Sequence, residues 1–95
     1  MQAQALATAD TLFPTLIDEL KKLVQIPSCS FPGFDPVQLE RSAEATATLL
    51  RWAGYPQVEL ARLDGVFPYV LAFDHRAGPE APTVLLYAHH DVQPP

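Results

Sequence analysis

His89, His90 and Asp91 stand next to one another, directly after the largely apolar run Thr83 to Ala88. An imidazole can ligate a metal or move a proton. A carboxylate beside it takes the other ring N–H, fixes the tautomer and raises ligand basicity. On a strand, side chains two apart share a face, so His89 and Asp91 at the end of this run are expected to point together and His90 away. The pair then suits either a metal-bound imidazole with its orienting acid or a general base held by the same acid. A bare His-x-Asp is of low specificity, because a hydrogen-bonded pair at a strand end has the same spacing. His90 is expected to be a filler on the opposite face. His75, in the polar stretch D-H-R-A-G-P-E-A-P, reads as a solvated loop residue. Cys29 is the sole cysteine, so no intrachain disulfide forms, and with no basic neighbour in sequence it is expected to be an inert thiol.

The elements that must position these groups follow from periodicity. From Ala9 to Val24, Leu12, Phe13, Leu16, Ile17, Leu20, Leu23 and Val24 recur at three- and four-residue steps, the apolar face of a helix expected to pack in a core. Pro14 is placed in or near its first turn, and Ile26-Pro27 ends it. Ser28 to Asp35 is a loop by composition. Asp35-Pro36 starts a second helix running to about Ala53, with Val37, Leu39, Ala43, Ala47, Leu50 and Trp52 as its apolar surface and Gly54 as its C-cap. Val58–Leu63 reads as a partly exposed strand, Asp64-Gly65 as a turn and Tyr69–Phe73 as a buried strand. Thr83–Ala88 reads as a third strand, with Tyr69–Phe73 its antiparallel partner because the connection is too short for a helical crossover. The order is helix, helix, strand, strand, strand: an α/β chain, α+β as it stands, in which apolar runs on two strands suggest a sheet covered on both faces.

At 95 residues with 48% hydrophobic and 18% charged content, the chain has the composition of a globular protein near the size where burial becomes marginal. A net charge of -5, with Lys21-Lys22 its one basic pair, argues against a nucleic-acid surface. No run is long enough to span a bilayer, and the first ten residues lack the basic start and apolar stretch of a secretory signal. The expected location is cytoplasmic.

The segment V-L-L-Y-A-H-H-D-V-Q-P-P, Val84 to Pro95, resembles the first metal-binding motif of the co-catalytic zinc aminoacylase and dipeptidase superfamily. That superfamily includes carnosine-type dipeptidases, carboxypeptidase G, acetylornithine deacetylase and succinyl-diaminopimelate desuccinylase. Its pattern is an apolar strand, a small residue and His-x-Asp-Val, and the following Q-P-P is most similar to the dipeptidase branch. Upstream, L-K-K-L-V-Q-I-P-S-C-S from Leu20 to Ser30 resembles the family's first helix and its Leu-Val-x-Ile-Pro-Ser ending. The Trp52–Gly54 helix end and the Gly65-Val66-Phe67-Pro68 turn come in family order, so the resemblance covers nearly the whole chain. Ala88 departs from the commoner glycine before the ligand.

The resemblance implies that His89 is a zinc ligand and that Asp91 is the catalytic-centre carboxylate clamping its imidazole, with His90 on a variable position. It implies two zinc ions, or other divalent metals, acting on a small peptide or N-acyl amino acid with a glutamate as general base, and it allows a homodimer of the complete enzyme. Residues 1–95 would then be the amino-terminal part of a metallopeptidase catalytic domain with a central mixed sheet, not competent alone because the bridging aspartate, the glutamate and the other ligands follow this motif in the family. The alternatives are a non-catalytic α+β module that binds a partner through its uncovered sheet, and a truncated gene product.

Overall fold

The computed structural model describes residues 2–95. Four elements follow in order: α1 (Gln2–Val24), α2 (Val37–Trp52), β1 (Gln57–Ala61) and β2 (Tyr69–Phe73). The architecture is mixed α+β, with one antiparallel hairpin, β1 beside β2, whose register sets Gln57 opposite Phe73 and Ala61 opposite Tyr69.

Helix α1 starts seven residues earlier than its apolar periodicity indicates, since the alanine-rich residues before Ala9 are strong helix formers that carry no stripe. Pro14 therefore lies well inside the helix, not in its first turn, and its missing N–H leaves the Asp10 carbonyl without its i+4 donor. The apolar stripe is not core: no residue of α1 is buried, and Leu6, Phe13, Leu20 and Val24 are 54–60% exposed. The pattern specified a face correctly but could not specify what covers it. Among the described residues, no helix is long and apolar enough to cross a membrane.

Helix α2 is built as its ends dictate. The Asp35 carboxylate accepts the Val37 N–H at 3.0 Å, satisfying a first-turn donor. At the other end Gly54, at φ +104°, closes a Schellman motif: the Tyr55 N–H reaches the Leu50 carbonyl at 3.2 Å and the Gly54 N–H reaches Arg51 at 3.0 Å. Its buried face is Leu39 with the small side chains of Ser42, Ala43 and Ala47, which let the helix lie close on the hairpin. Val37 and Trp52 project outward at 58% and 54% exposure. Arg62, just past β1, grips Glu40 of α2 through both carboxylate oxygens, at 3.0 Å and 2.5 Å. The pair is exposed and screened, so it fixes geometry more than it stabilises.

The expected third strand does not form. Thr83–Ala88 has no regular structure, β2 pairs with β1 instead, and Val84, Leu85, Leu86 and Tyr87 are 77–90% exposed. Strand propensity is a preference for a packed, paired surface. Here the proline-bearing turn after β2 carries the chain off the sheet, and hydrogen bonds near His90 anchor its far end elsewhere. The radius of gyration, 15.4 Å, exceeds the roughly 12 Å of a compact 95-residue domain, as expected when a long helix and an apolar segment both lie uncovered.

Candidate functional site

The site is assembled where residues 90–92 dock on two distant segments, the Ser28–Ser30 loop and α2. The Val92 N–H donates to the Ser28 carbonyl at 3.1 Å, and the His90 carbonyl accepts from the hydroxyls of Ser42 at 3.0 Å and Ser28 at 3.4 Å. Ser28 and Ser42 are both fully buried. The backbone on either side of Asp91 is thereby clipped in place.

His89 and Asp91 meet as the extended-chain argument expects. His89 Nδ1 lies 2.9 Å from Asp91 Oδ1, and Asp91 Oδ2 accepts the Ser30 hydroxyl at 2.5 Å. A carboxylate only accepts, so the proton of the neutral His89 ring sits on Nδ1 and Nε2 keeps its lone pair. The His89 side chain is 69% exposed. The arrangement thus presents an unprotonated Nε2 outward with the ring orientation held from behind, the form in which an imidazole ligates a metal. The Asp91 carboxyl lies below its ordinary value, chiefly through the Ser30 hydroxyl and then the His89 ring, against the opposing effect of partial burial.

His90 points away from this pair, as alternation requires, but it is no filler. Its Nε2 faces the Pro68 carbonyl at 3.2 Å, which can only accept, and its Nδ1 lies 2.9 Å from the Ser42 hydroxyl. Both ring nitrogens face atoms of the fold, so His90 is tied in place; the single Ser42 proton serves either Nδ1 or the His90 carbonyl, not both at once. Cys29, between Ser28 and Ser30 in this cluster's loop, is 3% exposed, and its burial closes it to reagents. His75 stays in the turn after β2, its ring stacked on Phe73 at a 6.0 Å centroid distance. The most strongly perturbed carboxyl is elsewhere: Arg76, through its side-chain hydrogen bond first, holds Asp74 down to about 2 in a surface turn.

Sequence reasoning missed the three serines. Their signal was present but faint: Ser28 and Ser30 alternate on one side of a loop, and Ser42 interrupts the small-residue face of α2. A buried hydroxyl needs a partner, and Ser28 and Ser42, both buried, find theirs in the terminal segment, as does the half-buried Ser30.

The donor set fits one position of a metal centre. Among the described residues, no group of three or more His, Cys, Asp and Glu side chains is placed to hold an ion, and a catalytic zinc takes three protein ligands. His89 meets the requirement for one of them. No protein-family model, no curated protein and no solved structure matches this chain.

Proposed function

We propose that the chain contributes the first zinc ligand, His89, and its orienting acid, Asp91, to a two-zinc hydrolase of amide bonds, dipeptidase-like in substrate class. The observation that carries this reading is the 2.9 Å contact between His89 Nδ1 and Asp91 Oδ1, which leaves Nε2 free and outward. Bound zinc would polarise the scissile carbonyl of a small peptide or N-acyl amino acid and activate a water. The chain's own part is to hold the His89 ring in one tautomer and one direction, with Asp91 fixing the ring and the docked backbone fixing Asp91. On this reading the other ligands and the general base belong to polypeptide outside these 95 residues. The exposed side chains from Val84 to Tyr87 and along α1 support that, as apolar surface of this extent is ordinarily covered. A cytoplasmic enzyme, with a homodimer as its assembled form, goes with the same proposal.

The DNA following the codon for Pro95 tests it directly. A continuous or remnant frame supplying Asp, paired Glu and His ligands is the expected result, and a stop with no such remnant refutes the enzyme. A zinc titration of the 95-residue chain should show weak binding at best. Tight stoichiometric zinc lost in His89→Ala would mean that a second copy supplies ligands. One alternative is a non-catalytic module that binds a partner through its open sheet, on which Leu71 is 36% exposed. That reading requires a monomer that unfolds cooperatively, and a molten near-UV circular dichroism spectrum counts against it.

A further inference from the structure

We infer that Ser30 is a positioning residue for the candidate metal ligand, its hydroxyl setting the Asp91 carboxylate so that only the Nδ1–H form of His89 is held. The inference rests on His89 being the outward-facing ligand of the proposed centre, and it adds a residue to which the site pattern assigns nothing.

The argument is one of remaining freedom. The backbone at His90 and Val92 is clipped to Ser28 on both sides of Asp91, through the His90 carbonyl and the Val92 N–H. What is left free at Asp91 is rotation of its side chain. The Ser30 hydroxyl takes Oδ2 at 2.5 Å, and with that oxygen engaged, Oδ1 is the one turned to His89 Nδ1 at 2.9 Å. Charge-assisted contacts of this kind are the shorter and stronger class of hydrogen bond. Without Ser30 the carboxylate could turn its face away from the imidazole. The His89 ring would then be free to carry its proton on Nε2, where it blocks ligation.

The order of the three groups excludes a different chemistry. In a hydrolytic triad the imidazole lies between serine and acid and takes the serine proton. Here the carboxylate lies between, and the Ser30 hydroxyl donates to it. Nothing in this order activates Ser30 as a nucleophile.

The test is the tautomer of His89 in the 95-residue chain with 15N-labelled histidine, read by nitrogen chemical shifts at about pH 8.5, above the ordinary imidazole range. The wild type should show the Nδ1–H form at His89. Ser30→Ala should shift His89 to a mixture rich in Nε2–H, as Asp91→Asn does, while the His90 signals stay unchanged. Ser30→Thr, which keeps the hydroxyl, should restore the Nδ1–H form. The inference is overturned if Ser30→Ala leaves His89 as in the wild type, if the wild type carries Nε2–H, or if His90 loses its signals together with His89. The last outcome would make Ser30 an anchor for the whole segment and not a positioner of one ring. No metal is present in this experiment, so a reading frame after Pro95 that supplies no further ligands refutes the metal reading without touching the tautomer result.

Discussion

Ser42→Ala isolates the attachment that brings the site together. The Ser42 hydroxyl is fully buried and lies 3.0 Å from the His90 carbonyl and 2.9 Å from His90 Nδ1. Alanine fills nearly the same space, so the cost comes from the polar groups left behind and not from a cavity. The His90 carbonyl keeps only the longer 3.4 Å contact to Ser28, and Nδ1 keeps none. An orphaned buried polar group costs about 1–3 kcal/mol, and because His90 is only part-buried the lower part of that range applies, about 1–2 kcal/mol. The loss falls on the docked terminal segment, whose opening need not unfold α2 or the hairpin. Hydrogen exchange at the Val92 amide, which donates to Ser28, should therefore accelerate roughly 5- to 30-fold, while the urea midpoint of the remainder shifts little. A Ser42→Ala/His90→Ala cycle should show non-additivity of about 0.5 kcal/mol or more, as expected of contacting groups. Unchanged exchange at Val92 in Ser42→Ala would refute the claim that this hydroxyl holds the segment.

Other expectations are as direct. His89→Ala should leave the circular dichroism spectrum of the chain unchanged, since the ring is exposed, and, on the proposed function, should abolish the activity of the two-zinc hydrolase to which the chain would contribute. Asp91→Asn should lower metal affinity or activity there by about 10–100-fold, measured by metal titration and steady-state kinetics. Leu85→Glu should change the unfolding free energy measured in urea by less than about 0.5 kcal/mol, because Leu85 is 90% exposed; a large loss would mean that the segment is covered in solution. The Asp74 carboxyl, lowered from 3.8 to about 2, should stay ionised as the pH falls past the ordinary carboxylate value, with the turn lost only as the pH falls through the lowered one. Side-chain carbonyl NMR checks this, and Arg76→Ala should return the titration to its ordinary position.

Local chemistry was legible wherever the signal was local. Asp35-Pro36 and Gly54 mark the ends of α2 because capping is decided within a turn, and the bounds of Tyr69–Phe73 were legible to the residue, although none of its side chains is buried as its apolar run led us to expect. The face shared by His89 and Asp91 followed from backbone alternation alone. What failed depended on distant partners. Thr83–Ala88 has the composition of a buried strand, yet a strand exists only when another strand pairs with it. The stripe on α1 has the periodicity of a packed helix, but only Leu12, Ile17 and Leu23 of it are half-buried and none is core. Ser28, Ser30 and Ser42 are common residues whose meaning comes from segments 48 to 62 positions away, a relation that no local window contains. His90 was misread for the same reason, since its partners are Ser42 and the Pro68 carbonyl.

The docking of His90 also sets an order of assembly. Before the sheet has packed on α2, bringing His90 to Ser42 closes a loop spanning 48 positions. Once the hairpin rests on α2, the free chain is only residues 74–89, a third of that length, and closure is easier by about 1 kcal/mol. The contact to Pro68 reinforces this sequence, because its carbonyl is in place only after the hairpin loop has formed. His89 and Asp91 are therefore aligned after the hairpin has packed on α2, when only this shorter loop is left to close. During synthesis the reactive pair would stay unaligned until the scaffold beneath it had already folded.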